Sequence, residues 1–496
     1  MQMISLSNAN LSRLGANVLV PRYDRSAVTE GIAHIGVGNF HRAHLAVYVD
    51  RCLHAPDQHM WGICGIGLSD TSAARSKASA FHQQDGLYTV TEFAPDGRST
   101  ARVVGAMLRY LHAPVDPAAV LETLASPNIK IVSLTITEGG YNIDEATGAF
   151  LVDQPDVAHD LGGGPPRTAF GFIVEALRRR RLAGDPAFAV VSCDNLRHNG
   201  DTARRAIVAF ARARDPELAQ WIDREVPFPN SMVDRIAPKV TDADRQRLNA
   251  SSGVDDRLPV SGESFIQWVI EDRFPAGRPR FEHVGVELRD DVALFETVKG
   301  RLLNASHMLM SYPSILCGYR LVHEAMQDRR IAELIDQFIE HDAIPLLEGP
   351  PGLSLTAYKK TVLERFSNPA VGDQLLRIAH DGAAKIPVFH TKTLQALVAE
   401  GKELGRVACF LACFARYLTG RDDAGRVFEV HEPNISPSDH ERLRDADELG
   451  LTRIAAFRAL QLDQHPRFVE AYLDSTRTIA RDGTARALQR AIQAAQ

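Results

Sequence analysis

Gly31-Ile32-Ala33-His34-Ile35-Gly36-Val37-Gly38-Asn39-Phe40-His41-Arg42-Ala43-His44 decides the fold. A short apolar run reaches two glycines one residue apart and passes straight into a helical pattern: strand, tight turn, helix. Gly36 and Gly38 lack Cβ, so the backbone of the turn can approach a pyrophosphate at the helix N-terminus. His41 stands where the usual fingerprint has its third glycine, so the motif alone also fits a plain strand-to-helix turn. Its position near the N-terminus, between a strand and a helix, favours the dinucleotide reading. Asn39 and Phe40 complete the turn. Arg42 is a candidate for neutralising phosphate, or else a solvated helix residue. His41 and His44, three apart, have a spacing that suits a metal but no third ligand nearby, and a structural role is the simpler account.

Outward from this turn the pattern repeats. Trp61–Leu68, Ile129–Thr137 and Ala187–Ser192 are short Ile- and Val-rich runs bounded by Gly, Asp or Asn, as expected of buried parallel strands. Helical patterns separate them at Ala43–Leu53, Pro117–Ala125, Phe170–Leu182 and Thr202–Arg214. Tyr88–Phe93 and Ala101–Met107 flank Pro95-Asp96-Gly97, which predicts an antiparallel pair added to the parallel core. Strand and helix in alternation predict an α/β, doubly wound sheet with right-handed crossovers. After about residue 288 the strands stop. Helical periodicity with short breaks, as at Gly349-Pro350-Pro351-Gly352, continues to the end. The expected organisation is a nucleotide-binding domain over 1–288 and a mainly α-helical domain over 289–496.

Composition narrows the function. The 496 residues are 45% hydrophobic and 24% charged, as in ordinary globular proteins, which excludes fibrous and largely disordered readings. Sixty-two acids against 56 bases give a formal charge of −6, so neither nucleic acid nor an anionic membrane is an expected partner. Six scattered cysteines make no disulfide framework. Cys409 and Cys413 share a helix face and read as packed core thiols. No secretory leader or membrane-length apolar run is seen, and a cytoplasmic enzyme, monomeric or weakly oligomeric, is expected.

The second strand ends at Leu68-Ser69-Asp70. An acid there can grip the ribose hydroxyls of a dinucleotide, and no arginine stands beside it to receive a 2′-phosphate, so NAD is expected over NADP. A helix-start acid is the plainer alternative. Further on, Lys299-Gly300-Arg301-Leu302-Leu303-Asn304-Ala305-Ser306-His307 opens the helical half. On an α-helix Asn304 and His307 lie roughly 140° and 80° around the axis from Lys299, one broad face. A lysine, an amide and an imidazole on a mostly apolar helix are costly to bury without purpose. Singly, each has an ordinary explanation as a solvated or core residue. Ser192-Cys193-Asp194-Asn195-Leu196 ends a predicted strand, where α/β sheets place ligand contacts. Phe228–Ile236, with Asp234 and Arg235, reads as turn-rich. Arg377 and Lys385 flank His380-Asp381-Gly382 and offer cations to an oxygen-rich substrate, or are exposed charges at a helix end.

Over nearly its whole length the sequence resembles the polyol-specific long-chain dehydrogenases and reductases, above all the mannitol 2-dehydrogenases. The phrases that carry the resemblance are IAHIGVGNFHRAH from Ile32, VSLTITEGGY from Val132, SCDNL from Ser192, FPNSMVDRI from Phe228, QWVIEDRF from Gln267 and the Lys299–His307 segment. The resemblance implies a Rossmann-type domain followed by a helical substrate domain, with the active site in the cleft between them. It implies metal-independent oxidation of a secondary alcohol by NAD. It assigns Lys299 as general base, Asn195 and Asn304 as amides on the reacting oxygen, and His307 as a substrate-orienting imidazole. Asp234, Arg377 and Lys385 become contacts to the polyol chain, and Glu296 a carboxylate beside the lysine that relays its proton. The acid of GLSDTSAAR does not align cleanly with the family's nucleotide-binding acid, so cofactor preference is less firmly implied.

The chemistry is coherent. Hydride leaves an alcohol carbon as its hydroxyl proton is lost, so a base must lie within hydrogen-bond reach. A lysine serves when its pKa is depressed, and two amide donors stabilise the forming alkoxide without zinc. The expected activity interconverts D-mannitol and D-fructose, with D-arabinitol and D-xylulose as a second pair. A hexuronate reductase of the same family is the enzymatic alternative, and a dinucleotide-sensing binding protein without catalysis the non-enzymatic one.

Overall fold

A computed structural model describes residues 3–144, 147–444 and 447–493. Two compact units divide the chain. The first takes Met1–Ala94 and Arg98–Ala293, the second Pro95–Gly97 and Leu294–Gln496.

The first unit is built on five parallel strands: β1 (Glu30–Ile35), β2 (Gly62–Gly67), β3 (Met107–His112), β4 (Ile131–Leu134) and β5 (Ala189–Ser192). Their order across the sheet is β3-β2-β1-β4-β5. The chain starts in the middle, winds one way, then returns to wind the other. Such an order leaves a crevice between β1 and β4, at the carboxyl ends of the strands, where doubly wound folds bind dinucleotides. Both faces are covered, which explains why these strands are apolar throughout rather than alternating. Ala33, Ile35, Val132 and Leu134 face a core with Phe170, Phe172 and Phe210. Their sequence neighbours Ile32 and Ile131 face the other way, toward Val47, Trp61 and Trp268.

Three expectations are corrected here. The pair Tyr88–Phe93 and Ser99–Val104 is antiparallel as expected, but it belongs to a separate four-stranded sheet with Val18–Leu19 and Val260–Glu263. The apolar run through Met107 holds two strands. The chain breaks at Gly105 and Ala106, and β3 then joins the parallel sheet. Phe228–Ile236, read as turn-rich, contains the strand Ser231–Asp234, paired antiparallel with Gln267–Ile270.

Among the described residues, no strand follows Glu287–Leu288. The second unit gathers its helices around Ala305–Leu316, every residue of which is buried. Gly405–Tyr417 is the other central helix. Cys409, Cys413 and Phe410 pack inside it, and both thiols are free. A helix apolar nearly all round can only be stable at the centre of a bundle.

Candidate functional site

At the end of β1, Gly36 has φ 98° and presses against the carbonyl of Thr135 just past β4. Any Cβ there would overlap that carbonyl, so only glycine fits. Thr135 Oγ1 donates to the Gly36 carbonyl at 2.6 Å, tying the ends of β1 and β4 together. Gly38 differs. Where its Cβ would stand, the nearest atom is the Gly36 carbonyl at 3.8 Å, leaving the backbone open to a ligand. A pinned first glycine and an open second one are what a pyrophosphate cradle needs.

The turn's side chains mostly look inward. Asn39 donates to the Pro238 carbonyl at 3.1 Å, and Phe40 stacks on His44 at 4.8 Å between centroids. Arg42 is buried: it donates to Asn39 Oδ1 at 2.7 Å and to the carbonyl of Leu258, and lies over the Tyr88 ring at 5.4 Å. Its guanidinium braces the turn through these partners. His41 stacks on His34 with 3.4 Å between centroids, filling with aromatic rings the place of the third glycine. Burial pushes the His34 imidazole down to about 3 and that of His41 well below the usual range.

Asp70 lies in the exposed segment after β2 and forms an ion pair with Arg75 from the following helix, Ser72–Gln83. An arginine does therefore stand beside the acid. The linear sequence hid it, because the helix folds its first turn back over the loop.

Asn195 is exposed two residues beyond Cys193, just past β5. Asp234 ends the strand Ser231–Asp234 and is buried. At the start of the second unit, Glu296 lies on the helix Val292–Val298, half-buried. Lys299–Asn304 is not α-helical. It is a π-helical turn, in which the Ala305 N–H donates to the Gly300 carbonyl five residues back. This overturns the α-helical geometry used for Lys299 and Asn304. Five residues apart put side chains roughly 140° apart on an α-helix. When each turn takes in an extra residue, the same two swing toward one side. Lys299 is buried and Asn304 half-buried. His307, on the next α-helical turn, is buried and stacked on Phe366 at 4.1 Å between centroids, which fixes its ring plane.

Lys385 Nζ donates to the His380 carbonyl at 2.7 Å. Arg377 grips both oxygens of buried Asp373 at 2.7 and 2.9 Å, so its charge is largely neutralised and Nη1 is left for other partners. Among the described residues, no three His, Cys, Asp or Glu side chains are grouped to hold a metal ion, and no helix is long and apolar enough to cross a membrane.

Sequence reasoning gave no role to Asp194, Tyr141 or Thr137. Asp194 accepts from the backbone N–H groups of Ile136 and Thr137 at 3.1 and 2.9 Å and from the Tyr141 hydroxyl at 2.7 Å. Both SCDNL and VSLTITEGGY lie at strand ends, the one signal that could have singled them out.

Comparison with known proteins covers both units. Residues 30–283 match the Mannitol dehydrogenase Rossmann domain, and residues 291–480 the Mannitol dehydrogenase C-terminal domain. A Polyol:NADP oxidoreductase of Gluconobacter oxydans is 49% identical over 445 residues, 89% of this chain and 91% of that one. A mannitol 2-dehydrogenase of Pyricularia oryzae is 41% identical over 494 residues, 96% of this chain and 97% of that one. Among solved structures, a D-sorbitol dehydrogenase in substrate-free form superposes with a TM-score of 0.91 at 44% identity, covering 98% of this chain and all of that one. The Pseudomonas fluorescens mannitol 2-dehydrogenase in ternary complex with NAD and D-mannitol gives 0.89 at 40% identity, covering 99% of this chain and all of that one.

Proposed function

The chain belongs to the mannitol dehydrogenase family, and on that premise we propose that it is an NAD-dependent, metal-independent polyol dehydrogenase interconverting D-mannitol and D-fructose, with D-arabinitol and D-xylulose as a second pair. The observation that carries this reading is the π-helical turn Lys299–Asn304, which brings a buried lysine and an amide toward one side, with His307 on the turn that follows. Single π turns inside α-helices recur at functional sites because they cost stability and re-aim side chains.

NAD, when bound, supplies the acceptor for the hydride. The chain supplies the rest. Lys299, in its neutral form, takes the hydroxyl proton as the carbon–hydrogen bond breaks. Asn304 donates to the oxygen as it gains alkoxide character, a task that the resemblance also gives to Asn195. His307, its ring plane held by Phe366, orients the substrate. Glu296, three residues before Lys299, carries the proton away. Asp234 and Lys385 hold the remaining hydroxyls, and Arg377 reaches them through Nη1.

The hexuronate alternative needs an uncompensated cation for a carboxylate. Asp373 pairs with Arg377, which leaves Lys385 as the cation such a substrate would have to use. The test is an initial-rate panel of mannitol, arabinitol, sorbitol, mannonate and mannitol 1-phosphate with NAD and NADP. Mannitol or arabinitol should give the highest kcat/KM. A preference for mannonate would transfer the protein to the hexuronate class, and absence of turnover on every substrate would leave a binding protein.

A further inference from the structure

The chain leaves β4 through Thr135-Ile136-Thr137, and Thr137 adopts φ 64° and ψ 167°. That region of backbone space is essentially reserved for glycine, and a β-branched residue held in it costs about 1–3 kcal/mol. Something must hold it there. Asp194, just past β5, takes the N–H groups of Ile136 and Thr137 on its two oxygens. Tyr141 completes the clamp, its hydroxyl on Asp194 Oδ2 and 2.6 Å from Ser192 Oγ. Asp194 is fixed in turn from behind, where Asn199 Nδ2 donates to the carbonyls of Ser192 and Asp194 at 3.0 and 3.1 Å. Both carboxylate oxygens accept hydrogen bonds from this segment, which fixes the position of Asp194. Its function is to hold.

What it holds has a defined place. Thr135 bonds the Gly36 carbonyl, so the strained segment forms the β4 side of the crevice at the point where the strand order reverses. In a doubly wound sheet each half takes one mononucleotide. With the glycine turn on the pyrophosphate and the end of β2 on the adenosine ribose, the ends of β4 and β5 are left to the nicotinamide half. We propose that Asp194 is a positioning residue that clamps the strained Thr137 turn, and that this turn is the rigid wall against which the nicotinamide mononucleotide half of the cofactor is seated. The inference rests on the dinucleotide reading of the first unit. Strain of this kind persists where a fixed surface is worth more than the stability lost.

The test compares NADH with ADP, which has the adenosine and the pyrophosphate but neither the nicotinamide nor its ribose, in titrations of the wild type, Thr137→Gly and Tyr141→Phe. Glycine relieves the strain, so Thr137→Gly should keep or raise the melting temperature while its Kd for NADH rises about tenfold, equivalent to about 1.4 kcal/mol. Its Kd for ADP should stay within about twofold of wild type, because the adenosine side is untouched. Tyr141→Phe should shift NADH binding in the same direction by less. Asp194→Asn should do so by more, and if it fails to fold the other two variants still decide. NADH affinity unchanged in Thr137→Gly, or equal losses for both ligands, would overturn the proposal. A wild type that binds neither ligand would remove the dinucleotide reading itself, and this proposal with it.

Discussion

The N–H of Ala305 donates to the carbonyl of Gly300, five residues back, and this single widened turn determines how Lys299 and Asn304 are presented. If the turn exists to bring the amide to the reacting oxygen, Asn304→Ala should act on the chemical step. Losing one alkoxide donor should lower kcat roughly a hundredfold or more, by the measure of oxyanion-hole donors. Binding of the dinucleotide should change little. Steady-state kinetics with a parallel NADH titration separates the two, and an effect confined to KM would mean that Asn304 only positions substrate.

The Asp70–Arg75 pair makes cofactor choice a balance between two side chains. Asp70 suits the free ribose hydroxyls of NAD, and Arg75 must give up Asp70 before it can meet a 2′-phosphate. We expect higher kcat/KM with NAD, with residual NADP activity that Arg75→Ala diminishes selectively. Asp70→Ala should raise the NADP to NAD ratio. A wild type more efficient with NADP would show that Arg75, not Asp70, dominates this edge.

Three buried histidines should make the protein acid-labile. Burial lowers the pKa of His34 and His390 to about 3 and that of His41 well below its usual value. In the unfolded chain they titrate near about 6.5. Between these limits the unfolded state binds more protons, so stability falls as pH drops below about 6.5 toward 3. Glu432, raised to about 7 mainly by burial, works in the opposite sense over the upper part of this window, and the buried carboxyls of Asp50, Asp194, Asp256 and Asp342, raised from their usual range, oppose it toward the lower end. Melting temperatures measured from pH 8 to 4.5 should decline steadily below pH 6.5. His41→Phe keeps a ring against His34 and removes one titration, so its decline should be shallower.

In the second unit, Arg406 and Asp342 form a forked ion pair, 2% and 3% exposed. Removing one partner strands the other in an apolar interior. Arg406→Met should cost about 3–5 kcal/mol, whereas Arg406→Met with Asp342→Leu should cost much less. Urea denaturation midpoints of the two variants test this. Equal losses would mean that the pair is stabilising in itself rather than merely expensive to break.

The parts of this molecule written in local pattern were legible. The strand, glycine turn and helix around Gly36, the buried strands and the helical second half follow from apolar periodicity and breakers, signals that span a few residues. What was not legible depends on contacts between distant residues or on hydrogen-bond choices the sequence leaves open. Ala101–Met107 reads as one run, and only the change of sheet at Gly105 makes it two strands. The π turn at Lys299 has the same apolar spacing as an α-helix. Arg75 meets Asp70 by folding back from a helix, and Asp194 meets Thr137 from 57 residues away. Arg42 likewise meets the Leu258 carbonyl and the Tyr88 ring from far along the chain.

The central claim is that Lys299 is the base, and the pH profile of Lys299→Ala tests it most directly. A lysine works as a base only when unprotonated, so polyol oxidation by the wild type should rise with pH through the ionisation of Lys299, while ketose reduction, which needs the protonated form, should fall. Lys299→Ala should lose that ionisation from the oxidation profile together with most of kcat, and small primary amines filling the vacated space should restore part of the rate. A Lys299→Ala enzyme with near wild-type turnover and an unchanged pH profile would contradict the account.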